Sequence, residues 1–413
     1  MSFQQGLSGL NSSSKALDVL GNNIANANTV GFKSAEVHFS DVFANSLSGG
    51  GASQVGIGST ISGIQQTFSQ GNVTATNNPL DISINGGGFY RMNHQSGAIT
   101  YTRNGQFHLD NEGYVINDQQ MKLTGYPATN GVITASSPVD LQLSASQIPP
   151  RATSAALTGN VTASLNLDSR QPALTPAFSI NDPTSYNYST ALSVYDTLGV
   201  SHTMTMYFRR TAAGPWNVYG TMDGTTTPTT PQLFTTPLTF NTTGTLTAGG
   251  TQTLPSWDPT SGAALAWTPG QIVFTGTTQY GSASSVDRLT QGGYATGSLT
   301  GLSVGSDGIV QGRYSNGQAR NLGQVVLATF ANPNGLQSLG NNQWALSPVS
   351  GPELISAPGT GSRGVLQSSS IEESNVDLTK QLVDMITQQR NYQANAQTIK
   401  TQDQVMQTLV NLR

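Results

Sequence analysis

The chain contains no cysteine, which excludes disulfide frameworks, thiolate metal centres and thiol nucleophiles. Charge is scarce too. Asp, Glu, Lys and Arg make up 9% of the 413 residues, against roughly 25% in an average soluble protein. The net charge is −4 and there is no run of Lys or Arg. Phosphate backbones need a clustered basic face, so nucleic acid is not an expected partner. No stretch reaches the ~18 consecutive apolar residues of a membrane span, and no membrane insertion is expected. The opening residues MSFQQGLSGLNSSSKALDVL have neither a basic n-region nor an apolar h-region. A cleavable secretory signal is therefore not expected, and any export takes another route.

What is present is small and polar. Gly alone accounts for 46 residues, Ser, Thr, Asn and Gln are abundant, and hydrophobic residues reach only 36%. A surface so poor in charge repels its own copies weakly. Composition leaves two readings open: a subunit that packs against itself, or a secreted Thr-rich β protein. The length suits two or three domains at ~150 residues each.

The two ends read as helix and the long middle as strand. Phe3, Leu10, Leu17 and Ile24 recur every seven residues, with Leu7 at the d position of the first heptad. Leu378, Met385, Tyr392, Ile399 and Met406 form a second such series, with Leu382, Ala396 and Val410 at d. This is the 3.5-residue period of a coiled-coil seam. Ser14, Gly21, Gln389 and Asp403 interrupt it. Ser374-x-x-Asp377 reads as a capping box opening the second helix, and Glu372 and Glu373 suit the positive end of its dipole. No Pro or Gly occurs from Ile371 to Arg413, so roughly 35 residues are free to run as one helix of about 50 Å. A helix of that length needs a partner; the open choices are the other end of the same chain, a neighbouring copy, or the globular core.

Between the helices, Asn104-Gly105, Asn111-Glu112-Gly113, Asp307-Gly308 and Asn316-Gly317 mark turns between short alternating runs. Residues 146–152, SQIPPRA, read as a linker, and a Thr-rich region follows whose style differs from its flanks. The expected fold is mainly β with α-helical termini. Two β domains are nested, the second inserted in the first, beside a helical coiled-coil domain made from both ends. The expected boundaries are 1–25 and 371–413 for the helices, 26–72 for a connecting segment, 73–146 and 285–370 for the inner β domain, and 147–284 for the inserted one.

No catalytic grouping emerges. His38, His94, His108 and His202 lack metal-ligand spacing. Gly86-Gly87-Gly88-Phe89 lacks the Lys-Ser/Thr of a phosphate loop and suits a hairpin or bulge. No metal, cofactor or enzymatic role is expected. The competing class is an adhesin or glycan-binding protein, which would need aromatic residues such as Tyr195, Tyr207, Trp216 and Tyr219 on one β face.

Three segments carry a resemblance. ALDVLGNNIANANTVGFKSAEVHF (16–39) resembles the N-terminal signature of the bacterial flagellar rod and hook axial proteins, QRNYQANAQTIKTQDQVMQTLVNLR (389–413) resembles their C-terminal signature, and YTRNGQFHLDNEGYVINDQQMKLTGYPA (101–128) is similar to their shared β domain. Within that family the length and the large insertion favour the hook branch. A distal rod or other basal-body relative with an unusual insertion is the alternative.

The resemblance implies a self-assembling homopolymer, a flexible curved tube serving as a universal joint between motor and filament. It implies that the terminal helices line a channel and that the signature stretch packs between subunits. In that stretch Asn26 and Asn28 suit a fraying helix end, Gly31 an unusual turn, and Phe32 an anchor beside Lys33. It further implies export through the flagellar type III apparatus to an extracellular site in the flagellum. Phe39 and Phe43 fit a Phe-x-x-x-hydrophobic gate signal. The implied partners are the distal rod below, a hook–filament junction protein above, and hook cap and length-control proteins during assembly.

Overall fold

A computed structural model describes residues 2–42, 56–143, 147–153, 161–223, 232–234, 236–253 and 271–411. The architecture is mainly β with one long helix near each end: α1, Ser2–Ala25, and α2, Leu378–Asn411. The chain forms two compact units. The first comprises residues 1–145, 301–313 and 319–413; the second comprises 146–300 and 314–318. The second unit thus continues past the expected return at residue 285.

The second helix starts later than its sequence suggests. Residues Ser370–Glu372 form a short strand paired with Val73–Ala75. The cap is Asp377, whose Oδ1 accepts from the N–H groups of Thr379 and Lys380 at 2.9 and 3.1 Å. Ser374 instead accepts from Val376 N–H at 3.3 Å. A carboxylate holding two otherwise unpaired first-turn donors outcompetes a hydroxyl three residues upstream.

In the sheet of the first unit, strands Ile309–Tyr314 (its last residue counted with the second unit), Ala319–Val325, Lys122–Thr129, Phe89–Asn93, Ile99–Thr102, Gln343–Ala345 and Gln337–Gly340 stand side by side in that order. Asn316-Gly317 closes the hairpin between the first two of these, with Gly317 at φ 78°. The strands flanking Gly86-Gly87-Gly88 do not pair with each other. Ile82–Asn85 joins Val365–Ser368, and Phe89–Asn93 joins Ile99–Thr102. The glycines therefore carry a crossing, not a hairpin. Gly86 and Gly88 sit at φ 113° and 125°, and a Cβ on Gly86 would come within 2.9 Å of the Gly364 backbone. Ile82, Ile84, Tyr90, Met92, Phe107 and Leu123 are among the buried core of this unit.

The second unit is a sandwich of two four-stranded sheets. One is ordered Thr251–Thr253, Gln271–Val273, Val161–Asn166, Ser285–Thr290; the other Tyr188–Tyr195, Ser201–Arg210, Trp216–Met222, Gln232–Leu233. Strand alternation sends Met204, Met206, Phe208, Trp216 and Val218 into one core with Ala163, Leu165 and Phe274. Tyr207 and Tyr219 consequently lie on the opposite face, where Phe178 stacks on Tyr219 at 4.0 Å and 9°. Of the four aromatics named for a sugar platform, Trp216 is in the core, while Tyr195, Tyr207 and Tyr219 share the opposite face.

Candidate functional site

The chain ends meet in the first unit. α1 and α2 run antiparallel: Gly6 faces Ile399, Gly9 faces Asn395, and Asn23 bonds Gln381. The contact is made by small and polar side chains. Gly6, Ser12, Ser13, Ala16 and Asn23 are the buried residues of α1. A Cβ on Gly9 would lie 2.8 Å from the Asn395 amide, so the helices approach as closely as glycine permits.

Much of the apolar stripe read from the heptads does not enter this contact. Phe3 is 50% exposed and Leu7, Leu378, Leu382, Tyr392, Met406 and Val410 are exposed as well, the last at 72%. Val383, Ile386 and Val405 join them. Leu10, Leu17, Ile24, Met385, Ala396 and Ile399 are half-buried.

A β-hairpin not foreseen from local pattern lies along α1. Strands β1, Ala35–Val42, and β2, Gly58–Gln66, pair antiparallel with a bulge at His38/Phe39. Two-stranded ribbons are marginal alone in water. This one is held by Gln5 Nε2 donating to Gly56 O at 2.6 Å, and by Ser8 and Ser12 bonding Ser59 at 3.3 Å each. It separates two clefts. One, about 230 Å³, is lined by Val19, Leu20, Val37, Phe39, Gln381 and Asp384 among others. The other, about 500 Å³, includes Val19, Ile64, Phe68 and Leu336. Phe39 is exposed at the rim, and Phe43 lies outside the described residues.

Asparagines tie helix, hairpin and unit together. The Asn23 side chain is fully buried; its Nδ2 donates to Ala35 O at 2.8 Å and to Gln381 Oε1 at 3.1 Å, and its Oδ1 accepts from Ala35 N–H at 3.0 Å. The amide thus supplies β1 with the pairing a neighbouring strand would give. Asn375 does the same across the chain, accepting from Ser34 N–H and donating to Thr67 O, both at 2.7 Å. Neither Asn26 nor Asn28 adopts a left-handed backbone. Asn26 instead donates from its side chain to Asn22 O at 2.9 Å as α1 ends. Gly31 does take the left-handed turn, at φ 71°, with its N–H donating to Glu372 O at 2.8 Å.

The turn delivers Lys33, not Phe32, into the interior: Phe32 is half-buried, while the Lys33 side chain has no exposed surface. Lys33 Nζ donates to Glu372 Oε1 at 2.6 Å and to Ser69 O at 2.7 Å. Gly71 N–H also donates to Glu372 Oε1, at 3.0 Å, and Arg103 Nη1 lies 3.3 Å from Glu372 Oε2. Burial pushes Lys33 and Arg103 below their ordinary pKa values, and Glu372 pulls both back up. Charge pairing is what makes a buried lysine tolerable here. Sequence reading singled out Lys33 but missed Asn23, Arg103, Asn375 and Gln381, and saw Glu372 only as a helix-end acid.

Among the described residues no group of three or more His, Asp or Glu side chains is arranged to hold a metal. His202 lies between Asp223 at 2.7 Å and Asp196 at 3.5 Å in the second unit. No described helix is long and apolar enough to cross a membrane.

Comparison with known proteins covers nearly the whole chain. Family models match in four places: Flagella basal body rod protein at residues 3–33, Flagellar hook protein FlgE/F/G D1 domain at 83–163, Flagellar basal body protein FlaE D2 domain at 166–294, and Flagellar basal body rod FlgEFG protein C-terminal at 367–412. The flagellar hook protein FlgE of Salmonella typhimurium is 42% identical over all of both chains, and that of Escherichia coli K12 matches equally well in identity and cover. The hook protein of Borreliella burgdorferi is 31% identical over 100% of this chain and 99% of its own. The crystal structure of Helicobacter pylori flagellar hook protein FlgE2 shares the fold, with a TM-score of 0.52 at 11% identity over 72% of this chain and 100% of its own.

Proposed function

Because the chain belongs to the flagellar hook protein FlgE family and is thereby a structural subunit of the flagellar hook, we propose that it polymerises through the apolar faces its terminal helices leave uncovered. The observation that carries this is the exposure of Phe3, Leu7, Leu382, Val383, Ile386, Tyr392, Val405, Met406 and Val410 on one antiparallel pair. Covering each half-exposed side chain is worth about 1 kcal/mol, so the set offers on the order of 10 kcal/mol per subunit before the cost of association. Neighbouring copies supply the cover. The contact between different patches on successive copies generates an open helical array.

In this reading the helix pairs line the channel, and the segment 26–72 with its hairpin packs between subunits, its two clefts receiving apolar side chains of neighbours. The charge-poor surface of the second unit lets copies slide across wet contacts without breaking strong ion pairs, and Ser14, Gly21, Gln389 and Asp403 give the helical seams polar steps. The tube bends while it carries torque, as a universal joint between the rod and the filament. Subunits leave the cell through the flagellar type III apparatus without a cleaved signal, with Phe39 and Phe43 as gate signal. The distal rod, the hook–filament junction protein, the hook cap and the length-control protein are its partners, and its role is structural, not catalytic.

The test is Leu382→Asp with Met406→Asp, two exposed positions on α2. Circular dichroism and thermal unfolding of the soluble subunit should be unchanged, while electron microscopy under polymerising salt should show short curved tubes for the parent chain and none for the variant. Normal tubes from the variant would refute assembly through this face, and straight tubes from the parent would point to a rod.

A further inference from the structure

The junction contains two cations and one carboxylate. Lys33 and Glu372 have no exposed side-chain surface and Arg103 has 3%. Arg103 also donates to Gly86 O at 2.8 Å, and its guanidinium lies 5.5 Å from the centre of the Phe89 ring. Three separate segments converge on Glu372, which the strand Ser370–Glu372 ahead of α2 carries: residues 31–33 after α1, 69–71 after the hairpin, and Arg103 beyond the strand Ile99–Thr102. Lys33 and Glu372 are 339 positions apart. Before Glu372 is in place, the site would hold two like charges out of water, which repel strongly at low dielectric.

We propose that this cluster is a completion latch: the N-terminal helix and its hairpin seat on the β-sheet of the first unit only when the strand ahead of α2 brings Glu372 to neutralise Lys33 and Arg103 together. The latch deepens the reading of the chain ends as the assembling element, because it confines the seated state to subunits with both ends in place. Its signature is a reversal of sign. In the parent chain, losing Lys33 removes a hydrogen-bonded partner of Glu372 but leaves a balanced Arg103–Glu372 pair. Where Glu372 is already neutral, losing Lys33 removes one of two repelling charges. An ordinary structural ion pair, with one charge of each sign, has no such second cation to relieve.

The experiment is hydrogen exchange at the Gly31 and Gly71 amides in the soluble full chain, both of which donate to Glu372. Glu372→Gln should speed their exchange on the order of 100-fold or more, and Lys33→Met much less. Lys33→Met added to Glu372→Gln should slow exchange again by about tenfold or more. Exchange in Glu372→Gln at the parent rate would overturn the latch, as would a double variant exchanging as fast as Glu372→Gln. The readout is local and needs no tube, so it is decided separately from assembly through the exposed face of α2.

Discussion

Two glycines near the N-terminus should respond oppositely to the same added methyl group. Gly31 sits at φ 71°, and a Cβ there would lie 2.7 Å from Asn104 N and 2.8 Å from Arg103 C. The left-handed conformation costs an L-residue about 1–2 kcal/mol, and overlap with backbone atoms that cannot rotate away adds roughly 1–3 kcal/mol. Gly31→Ala should therefore destabilise by about 2–5 kcal/mol, lowering the thermal midpoint of the first unit by roughly 5–15 °C. Gly21 is helical, and a Cβ there meets nothing within 4 Å. Gly21→Ala should stabilise by about 0.5–1 kcal/mol through lower unfolded-state entropy. Differential scanning calorimetry of the soluble chain separates the two. Equal shifts, or a Gly31→Ala midpoint within about 1 °C of the parent, would show that the turn after α1 is not the constrained passage described above.

Trp216 is wholly buried in the core of the second unit, so Trp216→Ala should cost about 3–5 kcal/mol. Calorimetry should show that unit's transition lowered by roughly 10 °C, while tubes still form because the terminal helices belong to the first unit. High pH should act through tyrosine. Burial raises Tyr90, and burial plus the hydrogen bond to Glu353 raises Tyr101, so both keep their protons in the fold where a free phenol would lose them. Their folded values lie above the unfolded one; their stabilisation is complete below about pH 10 and is lost as pH rises beyond it. Phenolate absorbance should lag behind a free-tyrosine titration and then jump with unfolding, and Tyr101→Phe should push that unfolding to higher pH.

Turn chemistry and hydrophobic period are local, which is why the helical ends, the Asn-Gly hairpin near residue 316 and the mainly β middle are legible in the sequence. The β1–β2 hairpin escapes because it leans on a helix instead of a sheet. Its strands are largely exposed, and a bulge at His38/Phe39 breaks their alternation. The Lys33–Glu372–Arg103 cluster escapes because nothing local distinguishes a buried lysine from a surface one when its carboxylate lies 339 positions away. The heptads mislead in one respect. A seven-residue period reports that a stripe will be covered, not by whom. Within the chain the two helices meet most closely at Gly6, which faces Ile399, and at Gly9, which faces Asn395; these two glycines have no side chain to bury. They let α1 and α2 approach closely while Leu10, Leu17, Ile24, Met385 and Ile399 are half-buried and Phe3, Leu7, Leu382, Tyr392, Met406 and Val410 stay at the surface. Had Phe3, Leu7, Leu382 and Met406 been spent on the internal contact, the subunit would be more stable alone and would have little left to hold a neighbour. The division of small residues inward and large ones outward is what a chain needs if its ends are to fold as a pair and still adhere to further copies.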